Sequence, residues 1–454
     1  STQAHDETNS WVDRVITPLN ACSLETFAPI PTVPEQTPQD GITPSDTLLP
    51  LVIGCYQLNE GSATETNKTS AESEESDETA DNEPVEKSSR SGELRLYMIP
   101  SASSASNDQQ DNDGRPNEAL SFGDATCVVK MESGVLDGKW KKRGKIPQTT
   151  INGTNEIMPL FASACASGRI HLHSLENNNL QWGLSHLASS DEPSPDDETP
   201  ICLSLAWNDF VDMHNESSSN VVSDQIVSSY SNGTVALHKI SCAQPENEDN
   251  RPCDVNMEET HRWNAHSMFG CPAEVWTCSF LRGDENVVMS GADDCSLKIW
   301  DIRQTQRPTH KIGDSEFEAG VTAISSHPVL DHIFAAGSYD EYVRIYDNRK
   351  MDQPMTKVCV GGGVWRIKWH PSCGDDKSHG KMLVAAMHGG CRVVNVPALN
   401  THSDGDVDNV EILSKFTAHE SMAYGADWVW SGHSSRAAAA SCSFYDRQAF
   451  IWRA

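Results

Sequence analysis

Two segments in the C-terminal part of the chain concentrate residue types that can bind and transform a polar ligand. They are GGGVWRIKWHP at 361–371 and AHESMAYGADW at 418–428. Each combines glycines, aromatic rings, histidines and charged side chains within a few residues. Glycine backbone can approach a ligand closely, and histidine exchanges protons near neutral pH. The two segments therefore predict a binding or catalytic site.

Both segments belong to a repeat that runs through the chain. VVMSGADDCSLKIWDI at 287–302 has the pattern of a strand, an aspartate-containing turn and a second strand, and FAAGSYDEYVRIYDN at 334–348 repeats it. Weaker copies begin at Leu51, Leu160, Ile226, Leu383 and Ala439. Alternating apolar residues bounded by Gly, Asn and Asp indicate strands, and recurrence at roughly 45 to 75 residues is typical of propeller blades. The sequence therefore predicts an all-β, seven-bladed β-propeller, and it resembles WD-repeat proteins over nearly the whole chain.

The ring needs one more strand, because the last repeat strand already ends at Trp452. We predict that Trp11 to Thr17 supplies it, so that the N-terminal strand pairs with the last blade and no edge stays exposed. Residues 1–454 then form a single propeller. An acidic insertion at 59–91 has almost no large apolar residues, so we expect it to be disordered. A flexible polar loop is expected at 100–120.

The composition narrows the class of partner. A net charge of −31 argues against nucleic acid or an anionic membrane surface as the main partner. No stretch of the sequence has the apolar length of a membrane span. The fourteen cysteines contain no CxxC pair, which favours structural thiols in a reducing compartment over a disulfide framework. We therefore expect a cytoplasmic protein.

Alignment of the repeats puts one set of residues around the central opening. The loops that lead into the inner strands share a face with the turns after the second strands. At the sixth turn His388 replaces the usual aspartate. The aromatic rings, histidines and carboxylates of this face favour a polar, partly cationic ligand. The candidate binding residues are Trp276, Trp365, Tyr424, Gly362, Gly363, Glu420 and Asp427, and the candidate catalytic residues are His388, His419 and Arg366.

These residues also have structural interpretations. WD repeats use a turn aspartate and a loop histidine for stability, and His419 matches the histidine position. A tryptophan at the start of an inner strand can equally serve ring packing or a protein contact. The aspartates that match the turn position are Asp294, Asp340 and Asp446. The tryptophans expected in the core are Trp140, Trp207, Trp369 and Trp428.

Common enzyme motifs are missing from the sequence. It contains no GxSxG nucleophile elbow and no HExxH, Walker or dinucleotide motif. The histidines lack tight metal-ligand spacing, although the fold could still bring His388 and His419 together. We predict neither a metal nor a cofactor.

Four phrases together resemble one family. GGGVWRIKWHP, AAMHGG at 385–390, AHESMAYGADW and SCSFYD at 441–446 are similar to the WD-repeat member of the diphthamide pathway, the diphthine methyl ester hydrolase that is often called diphthine methyltransferase. The resemblance implies hydrolysis of the methyl ester of methylated diphthine, a modified histidine of translation elongation factor 2. It implies release of methanol and diphthine in diphthamide biosynthesis.

This substrate suits the predicted face. A trimethylammonium group has no hydrogen-bond donor and is recognised by aromatic faces and acidic fields, which Trp276, Trp365 and Tyr424 can supply. Either histidine is a candidate for activating water, and Arg366 or the backbone N–H groups of 361–363 for stabilising the oxyanion. We favour direct attack by water over a covalent route through Ser421.

A second class of function remains open. The segments at 300–303 (WDIR) and 346–349 (YDNR) look like the boxes by which WD-repeat adaptors dock on cullin–ring ligases. The alternative is therefore a non-enzymatic scaffold or a ligase substrate receptor.

Overall fold

The computed structural model describes thirteen segments of the chain. They are residues 11–27, 30–31, 47–59, 89–101, 120–142, 159–178, 181–191, 199–209, 221–243, 254–372, 379–400, 410–429 and 438–454. Most of the predicted insertion at 59–91 and most of the predicted loop at 100–120 lie outside these residues. Both stay predictions.

Within the described residues, the alternating segments form seven antiparallel sheets that are the seven blades: six have four strands, and that of blade 1 has a short fifth strand. Blade 1 consists of β2 (Asn20–Thr26), β4 (Thr47–Asn59), β5 (Ser89–Ser101) and β6 (Cys127–Met131), with β3 (Ile30–Pro31) paired to β4. Blade 2 consists of β7 (Val135–Trp140), β8 (Leu160–Cys165), β9 (Ile170–Asn178) and β10 (Gln181–Ser189). Blade 3 consists of β11 (Cys202–Trp207), β12 (Val221–Tyr230), β13 (Thr234–Ala243) and β14 (Asp254–Asn264).

The hairpin of β15 (Ser267–Met268) and β16 (Cys271–Pro272) separates blade 3 from blade 4. Blade 4 consists of β17 (Thr277–Leu281), β18 (Asp284–Ala292), β19 (Ser296–Asp301) and β20 (His310–Ile312). Blade 5 consists of β21 (Val321–Ser326), β22 (Ile333–Ser338), β23 (Tyr342–Asp347) and β24 (Thr356–Cys359). Blade 6 consists of β25 (Arg366–Trp369), β26 (Lys381–Ala385), β27 (Cys391–Asn395) and β28 (Glu411–Phe416), with a 3-10 turn at Pro397–Asn400. Blade 7 consists of β29 (Ala423–Val429), β30 (Ala438–Ser443), β31 (Gln448–Arg453) and β1 (Trp11–Ile16).

The N-terminal strand closes the ring, as the sequence predicted. β1 pairs antiparallel with β31, with Arg14 opposite Phe450 and Ile16 opposite Gln448. The backbone N–H of Thr17 donates to the Arg447 carbonyl at 2.8 Å and continues the pairing. Because β1 covers the free edge of β31, the last blade has its full four strands.

Buried indoles link neighbouring blades at the C-terminal ends of the inner strands. Trp207 donates its Nε1–H to the Lys139 carbonyl at 3.0 Å, and Trp428 donates to the Lys368 carbonyl at 3.0 Å. Trp369 makes the same type of bond to the Ser325 carbonyl at 3.1 Å. The four tryptophans predicted to lie in the core are all buried: Trp140, Trp207, Trp369 and Trp428.

The state of the cysteines and the search for membrane-spanning helices can be compared with the sequence analysis. The cysteines of the described residues are all free thiols. Seven of them are buried: Cys55, Cys165, Cys202, Cys242, Cys278, Cys391 and Cys442. Cys22 is partly buried. Among the described residues, no helix has the length and apolar character to cross a membrane.

A buried histidine stabilises blade 4 from the loop before its inner strand. His266 lies 2.9 Å from Asp294 through Nδ1 and 2.7 Å from the Ser290 hydroxyl through Nε2. The Trp300 indole donates to the same hydroxyl at 2.8 Å. Asp294 thus has the structural role that was expected for a turn aspartate.

Blade 7 repeats this arrangement around His419. Its Nε2 lies 2.8 Å from the Ser441 hydroxyl, which also accepts the Trp452 indole N–H at 3.2 Å. The carboxylate of Asp446 faces Nδ1 at 3.6 Å, and the His419 side chain has 0% exposure. His419 is therefore part of the blade interior.

We predict that His419→Ala destabilises the fold. The change leaves the buried Ser441 hydroxyl without its imidazole partner, which is expected to cost about 1–3 kcal/mol of unfolding free energy. Chemical denaturation measures this loss. His388→Ala, at an exposed histidine, is the control and should unfold like the wild type. Equal unfolding midpoints for the two variants would contradict the structural role.

Candidate functional site

The candidate site lies on the face where the inner strands begin. Trp276 immediately precedes β17, Trp365 immediately precedes β25, and Tyr424 is the second residue of β29. The turns between second and third strands reach the same face, because each second strand runs antiparallel to its inner strand. Side chains from several blades therefore surround one opening.

Five partly exposed rings meet there and form what we call the aromatic cluster: Trp276, Tyr339, Trp365, Tyr424 and Phe444. Trp365 is its centre, with ring centroids 5.5 Å from Trp276 and 4.9 Å from Tyr424. Tyr339 lies 6.2 Å from Trp365, and Phe444 lies 5.9 Å from Tyr424. The structure thus brings the three predicted aromatic residues into one group.

Burial keeps the two phenols of the cluster neutral. It raises the pKa of Tyr424 to about 12, and burial followed by the nearby Asp293 charge raises the pKa of Tyr339. At neutral pH both hydroxyls keep their protons. They can donate hydrogen bonds, but they cannot act as phenolate bases.

Two carboxylates, which we call the acidic pair, lie beside the cluster. Asp293 accepts the indole N–H of Trp276 at 2.6 Å, and its own backbone N–H donates to the Glu274 carbonyl at 3.0 Å. Burial, and then the Asp293 charge, raise the pKa of Glu274. Within the part of the chain that the structure describes, no lysine or arginine forms an ion pair with either carboxylate. The pair therefore favours a cation at the edge of the cluster.

Arg366 lies directly below the cluster. Its guanidinium carbon is 5.6 Å from the Trp365 ring centroid, and Nη1 donates to the Trp365 carbonyl at 3.1 Å. Nη2 lies 3.1 Å from Asp137 Oδ1 in the central channel. Burial alone would raise the pKa of Asp137, but Arg366 and Lys139 outweigh it and hold that pKa far below its usual range. Arg366 is thus a fixed cation between the cluster and the channel.

The channel below contains balanced charges. Lys139 Nζ lies 2.5 Å from Asp137 Oδ1 and 3.1 Å from Glu25 Oε1. Lys368 pairs with Glu25 and lies 3.7 Å from Asp427. Three acids thus face three bases, with Arg366 as the third base. All of these groups except Glu25 line a cavity of about 420 Å³ that extends along the ends of the inner strands.

Two predicted rim residues lie elsewhere, which corrects the sequence analysis. His419 is buried inside blade 7, as described above. Asp427 lies inside the channel, where it accepts the backbone N–H of Thr26 at 3.0 Å and that of Trp428 at 2.8 Å. Burial would raise the Asp427 pKa, but the Lys368 charge lowers it. Asp427 is held by protein partners and does not reach the open face.

The two other polar candidates stay at the surface. The His388 side chain is 64% exposed, and its Nε2 lies 3.6 Å from Glu341 of the neighbouring turn. Glu420 is exposed, and its backbone N–H donates to Asp446 at 2.9 Å. The structure shows no contact between either side chain and the aromatic cluster. Among the described residues, no group of three His, Cys, Asp or Glu side chains has the arrangement of a metal site.

The glycines before Trp365 have a packing role. A side chain at Gly362 would meet the Ala386 carbonyl at 2.1 Å, and one at Gly363 would meet Met387 Sδ at 3.0 Å. The loop therefore lies against the turn of blade 6, where both glycines are buried. Glycine is required at both positions because the loop approaches this turn so closely. The predicted approach of the same backbone to a ligand stays a prediction.

Sequence reasoning missed the residues of the aromatic cluster and of the acidic pair that come from the turns. Asp293, Tyr339 and Phe444 each stand directly after the second strand of a blade, namely after β18, β22 and β30. The repeat alignment contained this signal, because the three positions are equivalent.

Comparisons with known proteins agree with this architecture. The family model for the WD domain, G-beta repeat, matches residues 258–301 and 307–347. A chain in a structure described as "Crystal Structure of Mitotic Checkpoint Complex" aligns with a TM-score of 0.52 at 11% identity, over 100% of this chain and 95% of that one. At that identity the likeness shows the fold alone.

Two curated relatives share more of the sequence. The diphthine methyltransferase homolog of Dictyostelium discoideum is 30% identical over 336 residues, which cover 71% of this chain and 77% of that protein. The diphthine methyltransferase of Homo sapiens is 32% identical over 292 residues, which cover 63% of this chain and 56% of that protein. The chain thus spans little more than half of the human relative. With this similarity and the WD-repeat fold, the chain belongs to the diphthine methyltransferase family.

Proposed function

We propose that the protein acts in diphthamide biosynthesis, in the cytoplasm, and hydrolyses the methyl ester of methylated diphthine on translation elongation factor 2. The products are diphthine and methanol. The names of the relatives support a role in this pathway, and the aromatic cluster with its acidic pair supports the choice of ligand. The reaction class is our inference.

The observation that carries the proposal is the acidic pair, which has no lysine or arginine partner among the described residues and lies beside partly exposed rings. A trimethylammonium group offers no N–H, so hydrogen bonds cannot select it. Ring faces and nearby negative charge can, and such contacts contribute about 0.5–2 kcal/mol each. Trp276 and Trp365 supply ring faces, and Glu274 and Asp293 supply the charge.

The chemistry needs a base and a stabiliser of the oxyanion. In the proposed step, water attacks the ester carbonyl carbon and loses a proton to His388, the exposed histidine of this face. The carbonyl oxygen becomes an oxyanion, for which Arg366 is the cation nearest the cluster. Collapse of the intermediate breaks the bond to the methoxy group, which takes the proton and leaves as methanol.

The first test follows methanol release from elongation factor 2 that carries the methylated side chain. Wild-type protein should release methanol and leave the free acid on the factor, as measured by mass. Trp365→Ala should raise KM about tenfold, which corresponds to about 1.4 kcal/mol of lost cation binding, while Trp365→Phe should retain part of it. Trp182→Ala, on the outer strand of blade 2, is the control. An unchanged factor after incubation with folded protein would refute hydrolysis.

A second test uses the raised pKa of Glu274. Since burial and Asp293 disfavour its charged form, ionisation of Glu274 costs stability as pH rises through its pKa, and a bound cation offsets that cost. Affinity for the trimethylammonium ligand should therefore rise with pH across this acidic range. Glu274→Gln should raise the thermal midpoint at neutral pH, weaken binding there and remove the pH dependence. Glu411→Gln, on the exposed edge of blade 6, should have none of these three effects. A wild-type pH profile retained by Glu274→Gln would exclude Glu274 as the cause.

A second candidate function rests on the opposite face. Arg303 and Arg349 follow β19 and β23, and each folds back on the aspartate two residues earlier, at 2.6 Å from Asp301 and 2.7 Å from Asp347. The two side chains are 67% and 66% exposed. Two equivalent, exposed arginines on adjacent blades support the ligase-adaptor interpretation.

Pull-down with cullin–ring ligase components tests this candidate. An Arg303→Ala/Arg349→Ala variant should lose the ligase components and keep hydrolysis at the wild-type rate, because the two faces lie at opposite ends of the channel. Unchanged capture by the double variant would refute the adaptor function.

A further inference from the structure

A short hairpin on the site face ends in an exposed aromatic side chain. β15 and β16 pair Met268 with Cys271, so the loop between them is only Phe269 and Gly270. Both loop residues have positive φ, 53° and 83°, which is typical of the tight turns of two-residue hairpins. The Phe269 side chain is 96% exposed, and the neighbouring Met268 is 42% exposed.

Phenylalanine is an unfavourable residue at this turn position. Positive φ brings the Cβ of an L-residue close to its own backbone and costs roughly 1–2 kcal/mol, which is why Gly, Asn and Asp predominate there. An aromatic ring in water also gains nothing from burial to offset this cost. Strained residues of this kind concentrate at functional positions.

The hairpin is held firmly on the propeller. The backbone N–H groups of Ala265 and His266 both donate to the Gly233 carbonyl, at 2.9 and 3.0 Å. The His266 side chain is the buried histidine of blade 4. On the other side, the Val275 N–H donates to the Tyr230 carbonyl at 3.1 Å, and Trp276 follows at once. Both ends of the hairpin are thus fixed, and the tip has a defined position.

The position of the tip relates it to the candidate site. The hairpin is part of the loop that leads into β17, and this loop ends in Glu274 and Trp276 of the acidic pair and aromatic cluster. The tip therefore stands on the same face as the candidate site, on the loop that ends at Trp276. A free amino acid bound at the site would be too small to contact the hairpin tip. A folded protein that carries the modified side chain is large enough to contact it.

We propose that Phe269, with Met268, docks on the folded protein that carries the esterified trimethylammonium side chain. The inference rests on the proposed function and extends it from the modified side chain to the protein around it. The ring inserts into an apolar recess of the partner. The acidic pair at the base of the hairpin and the net charge of −31 favour a basic surface around that recess. A rigid, exposed aromatic side chain suits such a contact, because little conformational entropy is lost on binding.

The test compares two ligands of the full chain: the intact modified elongation factor and a short peptide that carries the same modified residue. Phe269→Asn should weaken binding of the intact factor at least tenfold and leave peptide binding unchanged. Because asparagine tolerates positive φ, the variant should also unfold at the wild-type temperature or above it. Loss of affinity therefore cannot be attributed to loss of the fold.

Leu413→Asn is the matched control, since Leu413 is 52% exposed on the outer strand of blade 6. It should bind both ligands like the wild type. Equal affinity of wild type and Phe269→Asn for the intact factor would overturn the docking role alone. A wild-type protein that binds neither ligand would overturn the proposed function and this inference with it.

Discussion

The site depends on closure of the ring by β1 and β31, the two ends of the described chain. Closure holds blade 7 against blade 1, where Thr26 binds Asp427 through its N–H and the Trp428 carbonyl through its hydroxyl. Trp428 in turn binds the Lys368 carbonyl of blade 6. The inner strands consequently converge on one axis. Without that convergence, side chains from blades 4 to 7 could not form a single aromatic cluster.

Charged side chains are paired with opposite charges in the channel, but the acidic pair on the rim has no basic partner among the described residues. Inside, each carboxylate faces a base, as in the pair of Asp137 and Arg366, because isolated charge is costly to bury. On the rim, Glu274 and Asp293 stand together without such a partner among the described residues, and burial followed by the Asp293 charge raises the Glu274 pKa. The interior is thus neutralised by the protein itself.

The two histidines show how far local sequence reasoning reaches. Both His388 and His419 occupy loops or turns on the predicted face, and both were plausible bases. His419 has a serine, a tryptophan and an aspartate of its own blade around it, so its ring is enclosed. His388 stands where the repeat has an aspartate, and its side chain stays in solvent. The departure from the repeat was thus the better guide to exposure, while agreement with the repeat indicated a structural role.

The sequence by itself determined the seven blades, the strand that closes the ring and the aromatic residues at the starts of the inner strands. Strand alternation and turn chemistry are local, so they can be read along the chain. Only the tertiary structure decided which side chains meet across blades. Asp137 with Arg366, Glu25 with Lys368 and Tyr339 with Trp365 are far apart in sequence, and no local pattern encodes their distance. Ring geometry brings them together, because each inner strand contributes residues to the same narrow opening.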